Sequence, residues 1–389
     1  MADTRLTDTH LTDAQRELLA RSEKLAAGVF APIASAGTPG EINRPLLAAL
    51  AEHGLLGRVF TTDSAGTHRP TVPAVDLCLL REGLARHCTE AETALALQGL
   101  GGYPILQAGR PEVIAEWIPR IASGAAAAGF ALTEPGAGSD AGALALAARK
   151  VAGGYRLTGE KSFISNAPAA DVYSVFARTS EERGSRGLTA FAVPGASEGL
   201  DGEPLRLVSP HPIGGLRFTD VFVPDSHVLG EVGRGWSVAM GTLELFRPSV
   251  GAFAVGMGQA ALDAAVDYAS DRQAFGRPLR EFQAVSHQLA EVATRLQAAR
   301  LLVHNAAAAH DAGLTGIGHL AAMAKLFATE TAQFAVDVAI QVHGARALEQ
   351  GHLLEHLYRE VRAPRIYEGA SEIQREIIAR QLFSRKPTD

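Results

Sequence analysis

The apolar residues of this 389-residue chain change period twice, and this change limits the folds open to it more than any single motif. From Leu11 to about Gly124 they recur at helical spacing, in segments such as Leu46–Leu50 and Pro111–Ile121 that Gly and Pro separate. Pro111 suits the first turn of its helix, where a missing N–H costs nothing. Between about Ala125 and Gly230 the period falls to two. Tyr173–Ala177, Leu188–Val193 and Val221–Val223 read as strands, and Gly153-Gly154 as a hairpin turn. After Gly235 the helical period returns. Val285, Leu289, Val292, Leu296, Ala299 and Val303 fall on one face of a long helix, a stripe that core packing explains. The predicted fold is therefore α+β multidomain: an N-terminal helical domain (1–124), a middle antiparallel β-barrel or sandwich (125–234) and a C-terminal helical bundle (235–389).

Composition narrows the function classes. A net charge of −6 without a basic block offers a nucleic-acid backbone no counterion-releasing surface, so no nucleic acid is expected as partner. Two cysteines, Cys78 and Cys88, form neither a disulfide framework nor a zinc site, which fits a reducing cytoplasm. The N-terminus, Met1 to Arg5, is charged and lacks an apolar export core. The uncharged stretch Ile121 to Thr133 is too short and too rich in Ala and Gly for a membrane span. His352 and His356 have the spacing of two metal ligands on a helix, but Leu353 stands where a metalloprotease has its glutamate, so no metal is expected. No Gly-x-Ser-x-Gly elbow supports a serine hydrolase. Alternating βαβ units for a nicotinamide dehydrogenase are likewise missing, and the Gly136, Gly138, Ala141 match to a dinucleotide fingerprint is formal only.

Four segments carry chemistry. In Thr133-Glu134-Pro135-Gly136-Ala137-Gly138-Ser139-Asp140, small residues let the backbone approach a ligand while Thr133 and Ser139 supply hydroxyls; alone, this is equally a turn. In Gly159 to Ala167, the Phe163 ring can lie against a flat heterocycle and Ser165 can donate to a ring nitrogen, although a lone strand Phe is more often core. Asp271 to Leu279 ends a helix with guanidinium groups able to fork onto a pyrophosphate, or simply with a solvated helix end. In Ile366 to Arg375, a Glu precedes Gly369, and Ala370 to Gln374 opens a helix whose N–H groups suit an anion.

In this order and at these separations, the four segments resemble the acyl-CoA dehydrogenase family over nearly the whole chain. Thr133–Asp140 is similar to its TEPGAGSD loop, Phe163–Asn166 to its aromatic-Ile-Thr-Asn strand, Arg272–Pro278 to its R-x-x-F-G-x-P turn, and Ile366–Arg375 to its IYEG-T-S-x-I-Q-R ending. The resemblance implies a homotetramer, a dimer of dimers, or a homodimer, with FAD between the middle barrel and the C-terminal bundle. It implies that Thr133 and Ser165 bond the flavin ring, that Phe163 covers one face, and that Phe130, Leu132, Gly138, Ser139, Ile164, Ala370 and Glu372 complete the cofactor site. Arg272, Phe275, Gln283, Gln341, Val342 and Gly344 would hold the FAD of a neighbouring subunit. Ser139, Phe246, Arg247, Tyr367 and Gly369 would line the acyl-thioester channel.

The resemblance also supplies the reaction: α,β-dehydrogenation of an acyl-CoA or acyl-carrier-protein thioester to the trans-2-enoyl thioester, with an electron-transfer flavoprotein as acceptor. Glu368 matches the family's base. The second position from which some members draw a base is Phe246 here, which cannot take a proton, and Glu244 lies two residues further off, on another helix face. Two departures stand out: Ala370 replaces a common Thr, and Ala345-Arg346-Ala347 replaces a Gly-rich turn. Around Thr61 to Pro70 a further Gly-rich stretch is missing, which leaves acyl length open. The alternatives are a flavin oxidase or monooxygenase of the same fold that uses O₂, and a non-catalytic flavoprotein.

Overall fold

The structure, a computed structural model, describes residues 11–61, 70–182 and 184–384. The expectations for Met1 to Arg5, and for most of the stretch from Thr61 to Pro70, fall outside the described residues. The helices are α1 Asp13–Leu25, α2 Ala31–Ser35, α3 Arg44–Glu52, α4 Leu55–Val59, α5 Ala74–His87, α6 Thr89–Ala108, α7 Pro111–Ala122, α8 Gly235–Asp271, α9 Gln283–Asp311, α10 Gly318–His343, α11 Leu353–Glu360 and α12 Ser371–Ser384. The strands are β1 Ala128–Ala131, β2 Ala147–Val151, β3 Gly154–Ser165, β4 Val172–Arg178, β5 Leu188–Pro194, β6 Leu200–Pro204, β7 Ile213–Pro224 and β8 Val228–Leu229, with a two-residue pair β9 Gln273–Ala274 and β10 Arg277–Pro278. The order helix, sheet, helix is the one that the change of period predicted. Packing divides the chain into two compact units: residues 1–31, 73–92 and 244–389 in one, and 32–72 and 93–243 in the other.

The sheet unit has strand order β6-β7-β3-β2-β4-β5-β8, with β1 on β4. It is not purely antiparallel, as the sequence led us to expect: β1 pairs parallel to β4, and β2 touches β4 in parallel at Ala147 and Arg178. The β2–β3 hairpin lies between β1 and β4 in sequence, which gives the long connection that a parallel pair requires. The period of two sets burial on one face. Tyr155, Leu157, Ile164, Tyr173, Val175, Phe191, Val193, Leu216, Phe218, Val221 and Val223 share one apolar core. The hairpin turns at Gly153 (φ 76°) rather than at both glycines; Gly154 already lies in β3, where a Cβ would stand 2.2 Å from the Val223 carbonyl.

Helix α6 is fastened to β1 by polar groups that an amphipathic pattern does not reveal. Gln98 donates to the Ala126 carbonyl (2.8 Å) and accepts from the Ala128 amide (2.8 Å), Ser174 donates to the Gly101 carbonyl (2.7 Å), and a Cβ on Gly101 would meet Ala128 at 2.5 Å.

In the helical unit, α9 packs on α10 and α5, and α10 packs on α12. The predicted α9 stripe is buried from Leu289 to Val303, whereas Val285, in the first turn, is only half-buried. A chain of charges crosses this unit: Arg300 donates to Glu82 (2.8 Å) and Gln259 (3.1 Å), Gln259 to Asp263 (2.9 Å), and Arg86 to both Asp263 (2.6 Å) and Glu23 (3.1 Å). By length and hydropathy, α8 could cross a membrane (mean hydropathy 1.3 over 18 residues). However, 83% of that stretch is buried inside the protein, as in a core helix.

Candidate active site

In the sheet unit, the Thr133–Asp140 loop leaves β1 and is held from below by a buried ion pair. The Glu134 carboxylate accepts from the Ala145 amide (2.6 Å), the Leu146 amide (2.9 Å) and Lys161 Nζ (2.8 Å), while Lys161 also donates to the Leu132 carbonyl (2.9 Å). Burial pulls Lys161 down to about 8 against the opposing pull of Glu134. The Ser162 amide donates to the Thr133 carbonyl at 3.0 Å, so the loop and the middle of β3 form one body. At that point the β3–β7 register shifts between Lys161 and Ile164, and Phe163 takes a left-handed φ of 55° that turns its ring outward, 60% exposed. Ser165 follows, and the strand is pinned beyond it by Asn166, which donates to the Ala128 carbonyl (2.8 Å).

This loop and strand therefore bring Thr133, Phe163 and Ser165 together. Gly138 and Ser139 are exposed on the same loop, and a Cβ on Gly138 meets only open space. Several residues expected at the cofactor are turned into the protein instead. The Ile164 side chain is wholly in the core, the Leu132 side chain is buried with its carbonyl taken by Lys161, and the half-buried Phe130 ring packs on Phe176 at 5.0 Å. These positions offer a ligand main chain more than side chain, because the strand period sends alternate residues inward.

In the helical unit, two segments expected at a cofactor meet. Tyr268, at the end of α8 just before Arg272, stacks on His343 (4.2 Å) at the end of α10, which joins the Arg272–Pro278 turn to Gln341, Val342 and Gly344. Arg272, Gln283 and Gln341 are exposed. Phe275, at φ 50°, is 96% exposed. His352 caps α11 by accepting from the Leu354 amide and His356 pairs with Thr89 Oγ1 (2.6 Å); no metal-ligating cluster occurs among the described residues.

Glu368 lies in the loop before α12 with φ 52°, followed by Gly369 at φ 96°. A non-glycine held there costs of order 1–3 kcal/mol, and the surroundings over-determine it. Arg247 Nε donates to the Glu368 carbonyl (3.1 Å), while Lys325 Nζ (2.7 Å) and Gln374 Nε2 (2.8 Å) both donate to the Gly369 carbonyl, whose two lone pairs accommodate them. On either side, Glu330 receives Arg365 (2.8 Å) and Ser371 (2.8 Å). The side chain is left poised: Oε2 of Glu368 is buried without a hydrogen-bond partner. Burial raises its pKa above the ordinary glutamate value, opposed by Arg81, Arg247 and Lys325. Arg81 is itself buried, paired with Glu92 and donating to Ser249 (2.6 Å).

Of the other expected channel residues, Tyr367 is partly exposed; of the expected cofactor residues, Ala370 is half-buried and Glu372 exposed. Phe246 is wholly buried, which removes it as a surface for substrate except through movement of its neighbours. Glu244 is exposed on α8. Sequence reasoning passed over Lys325, Glu330 and Arg81, and named Gln374 only as part of a helix start. Their one signal was charge or amide in apolar helical text, as at Ala321 to Ala335.

The arrangement is that of a carboxylate with one buried, unpartnered oxygen on a loop held by three donors, and comparison with known proteins places the chain in a family. The chain matches the N-terminal domain of acyl-CoA dehydrogenase over residues 12–125, the middle domain over 129–221 and the C-terminal domain over 233–383. It is 35% identical to a cyclohexane-1-carbonyl-CoA dehydrogenase of Geobacter metallireducens over 353 residues (90% of this chain, 92% of that protein). It is 38% identical to an acyl-CoA dehydrogenase of Bacillus subtilis over 343 residues (87% and 89%). With subunit CarC of the caffeyl-CoA reductase-Etf complex of Acetobacterium woodii it shares 35% over 357 residues (89% and 91%). Among solved structures, butyryl-CoA dehydrogenase from Megasphaera elsdenii superposes with a TM-score of 0.88 at 31% identity (97% and 100%). The FAD complex of PigA does so with 0.89 at 28% (97% and 99%). Three matched domains spanning almost the whole length, in the order in which the chain folds, establish that it belongs to the acyl-CoA dehydrogenase family.

Proposed function

We propose that the protein oxidises an acyl-CoA between its α and β carbons, with Glu368 as the base that removes the α proton and FAD as cofactor. The observation that carries this reading is the unpartnered, buried Oε2 of Glu368 on a loop whose backbone is held by three donors. An α proton beside a thioester is only weakly acidic. Its base must be poorly hydrated and already in place, because reorganisation during transfer would raise the barrier. Burial supplies the first condition and the carbonyl clamp the second. Arg81, Arg247 and Lys325 keep the carboxylate ionisable despite its burial. The Glu368 main-chain N–H is the donor we assign to the thioester carbonyl, where enolate charge gathers as the proton leaves.

Thr133, Ser165 and the outward Phe163 ring fit a flat heterocycle, and Arg272 fits a diphosphate. FAD, when bound, supplies the acceptor for the β hydride. The almost fully exposed Phe275 supports a second copy of the chain as the neighbour whose FAD it covers, hence a homodimer or a dimer of dimers. An electron-transfer flavoprotein is the acceptor we assign, and the two free, buried cysteines are in keeping with the cytoplasm.

Anaerobic mixing of the yellow holoenzyme with a panel of acyl-CoAs, followed by flavin absorbance, tests the reaction and the substrate class together. Glu368→Gln is expected to keep FAD yet lose roughly 10²–10⁴ in bleaching rate; bleaching by that variant at the native rate would remove Glu368 as the base.

A further inference from the structure

The chain has five lysines against 31 arginines, and two of the five, Lys161 and Lys325, are wholly or almost wholly buried. Both do the same thing: each donates to a main-chain carbonyl of a site segment, Lys161 to Leu132 (2.9 Å) and Lys325 to Gly369 (2.7 Å). An ammonium is a compact point donor on a flexible stem, able to reach a single carbonyl. Lys325 lies on α10, among Ala321, Ala322, Ala324 and Ala328, and nothing in the expected site accounted for it. Five charges bear on this region. Glu368 acts on Lys325 from the site loop, Arg247 from α8, Glu330 from α10 itself and Glu372 from α12, while Arg81 from α5 acts on Glu368.

We propose that Lys325 is a positioning residue for the base: its hydrogen bond to the Gly369 carbonyl holds Glu368 in the left-handed conformation, and its charge favours the ionised carboxylate. This rests on Glu368 being the base. The two parts are separable, since the hydrogen bond governs geometry and the charge governs protonation. Burial draws Lys325 down to about 8, so its charge is present through neutral pH.

The test uses the holoenzyme with Lys325→Met and Lys325→Gln, an acyl-CoA that the native enzyme reduces, and two readouts. In anaerobic bleaching, Lys325→Met is expected to keep FAD and to lose about 10- to 100-fold in limiting rate, the scale of a misplaced catalytic group. Its acid limb should move to higher pH, because a cation that favoured the carboxylate is gone. Lys325→Gln, neutral but still a donor, should recover part of the rate and share the displaced limb. In crystals of Lys325→Met, Glu368 should leave the left-handed region. An unchanged Glu368 φ, or a loss equal at every pH with the acid limb unmoved, overturns the proposal and leaves Lys325 a packing residue. If Met does not fold, Lys325→Gln carries the displaced acid limb and Lys325→Ala takes the place of Met in the crystals. If instead Glu368→Gln bleaches normally, the assignment of the base has failed, and the φ of Glu368 in the Lys325 variants still decides the clamp.

Discussion

Glu134 shows how a residue inside a segment expected to bind a ligand can serve the fold instead. Both oxygens of its carboxylate are engaged, Oε2 by the Ala145 amide and Oε1 by the Leu146 amide and Lys161. Removing it would leave an ammonium buried with one carbonyl for company, so Glu134→Ala should lower stability by about 3–5 kcal/mol, the penalty for breaking a buried pair from one side. Urea unfolding of the flavin-free protein measures this. A loss under 1 kcal/mol would mean that Lys161 finds water. Four of the five non-glycine residues with positive φ among the described residues, Phe163, Asn166, Phe275 and Glu368, come from segments singled out in the sequence. Their chemistry was legible because it lies in the side chain. Their strain was not, since neighbouring letters carry no sign that Lys325 and Gln374 reach the Gly369 carbonyl from a helix and a turn away.

At the scale of elements, the residue before α5 is Pro73, which has no side-chain cap to give. Its first amides, Ala74 (2.6 Å) and Val75 (3.0 Å), donate instead to Asp311 at the far end of α9. Asp311→Ala should cost about 1–2 kcal/mol, as loss of a helix cap does, and lower the thermal midpoint followed by circular dichroism. Burial alone would raise the pKa of Asp311, but His310 and the two amides outweigh it and hold the carboxyl below its ordinary value. Its contribution is therefore full above the unfolded-state pKa and disappears as pH falls through the lower folded-state value. Native and variant midpoints should converge in acid, and a gap that widened there would contradict the cap. The α9 stripe could be read from period alone, and so could the strands of the sheet core. The cap could not, nor the parallel pairing of β1 with β4, because both join residues that only the finished topology brings together.

For the molecule as a whole, Phe275 is the most telling surface residue: an aromatic ring 96% exposed on a turn whose backbone is strained to present it. Phe275→Ser should weaken self-association by about 1.5–3 kcal/mol, the scale of one buried ring, and lower the FAD retained per chain. Sedimentation velocity and flavin absorbance measure the two, and an unaltered assembly with full flavin would rule out an intersubunit role for the ring. The chain of charges from Arg300 through Glu82, Gln259, Asp263 and Arg86 to Glu23 has a different consequence. Each member answers to at least one other, so a lone hydrophobic substitution strands a neighbour, whereas replacing several together by apolar residues of matching volume strands fewer; Arg300 also donates to Gln297 (3.0 Å), so the network reaches beyond these six. Sequence drift at these six positions should thus be concerted, and a designer seeking a hardier variant should treat them as a single unit of exchange.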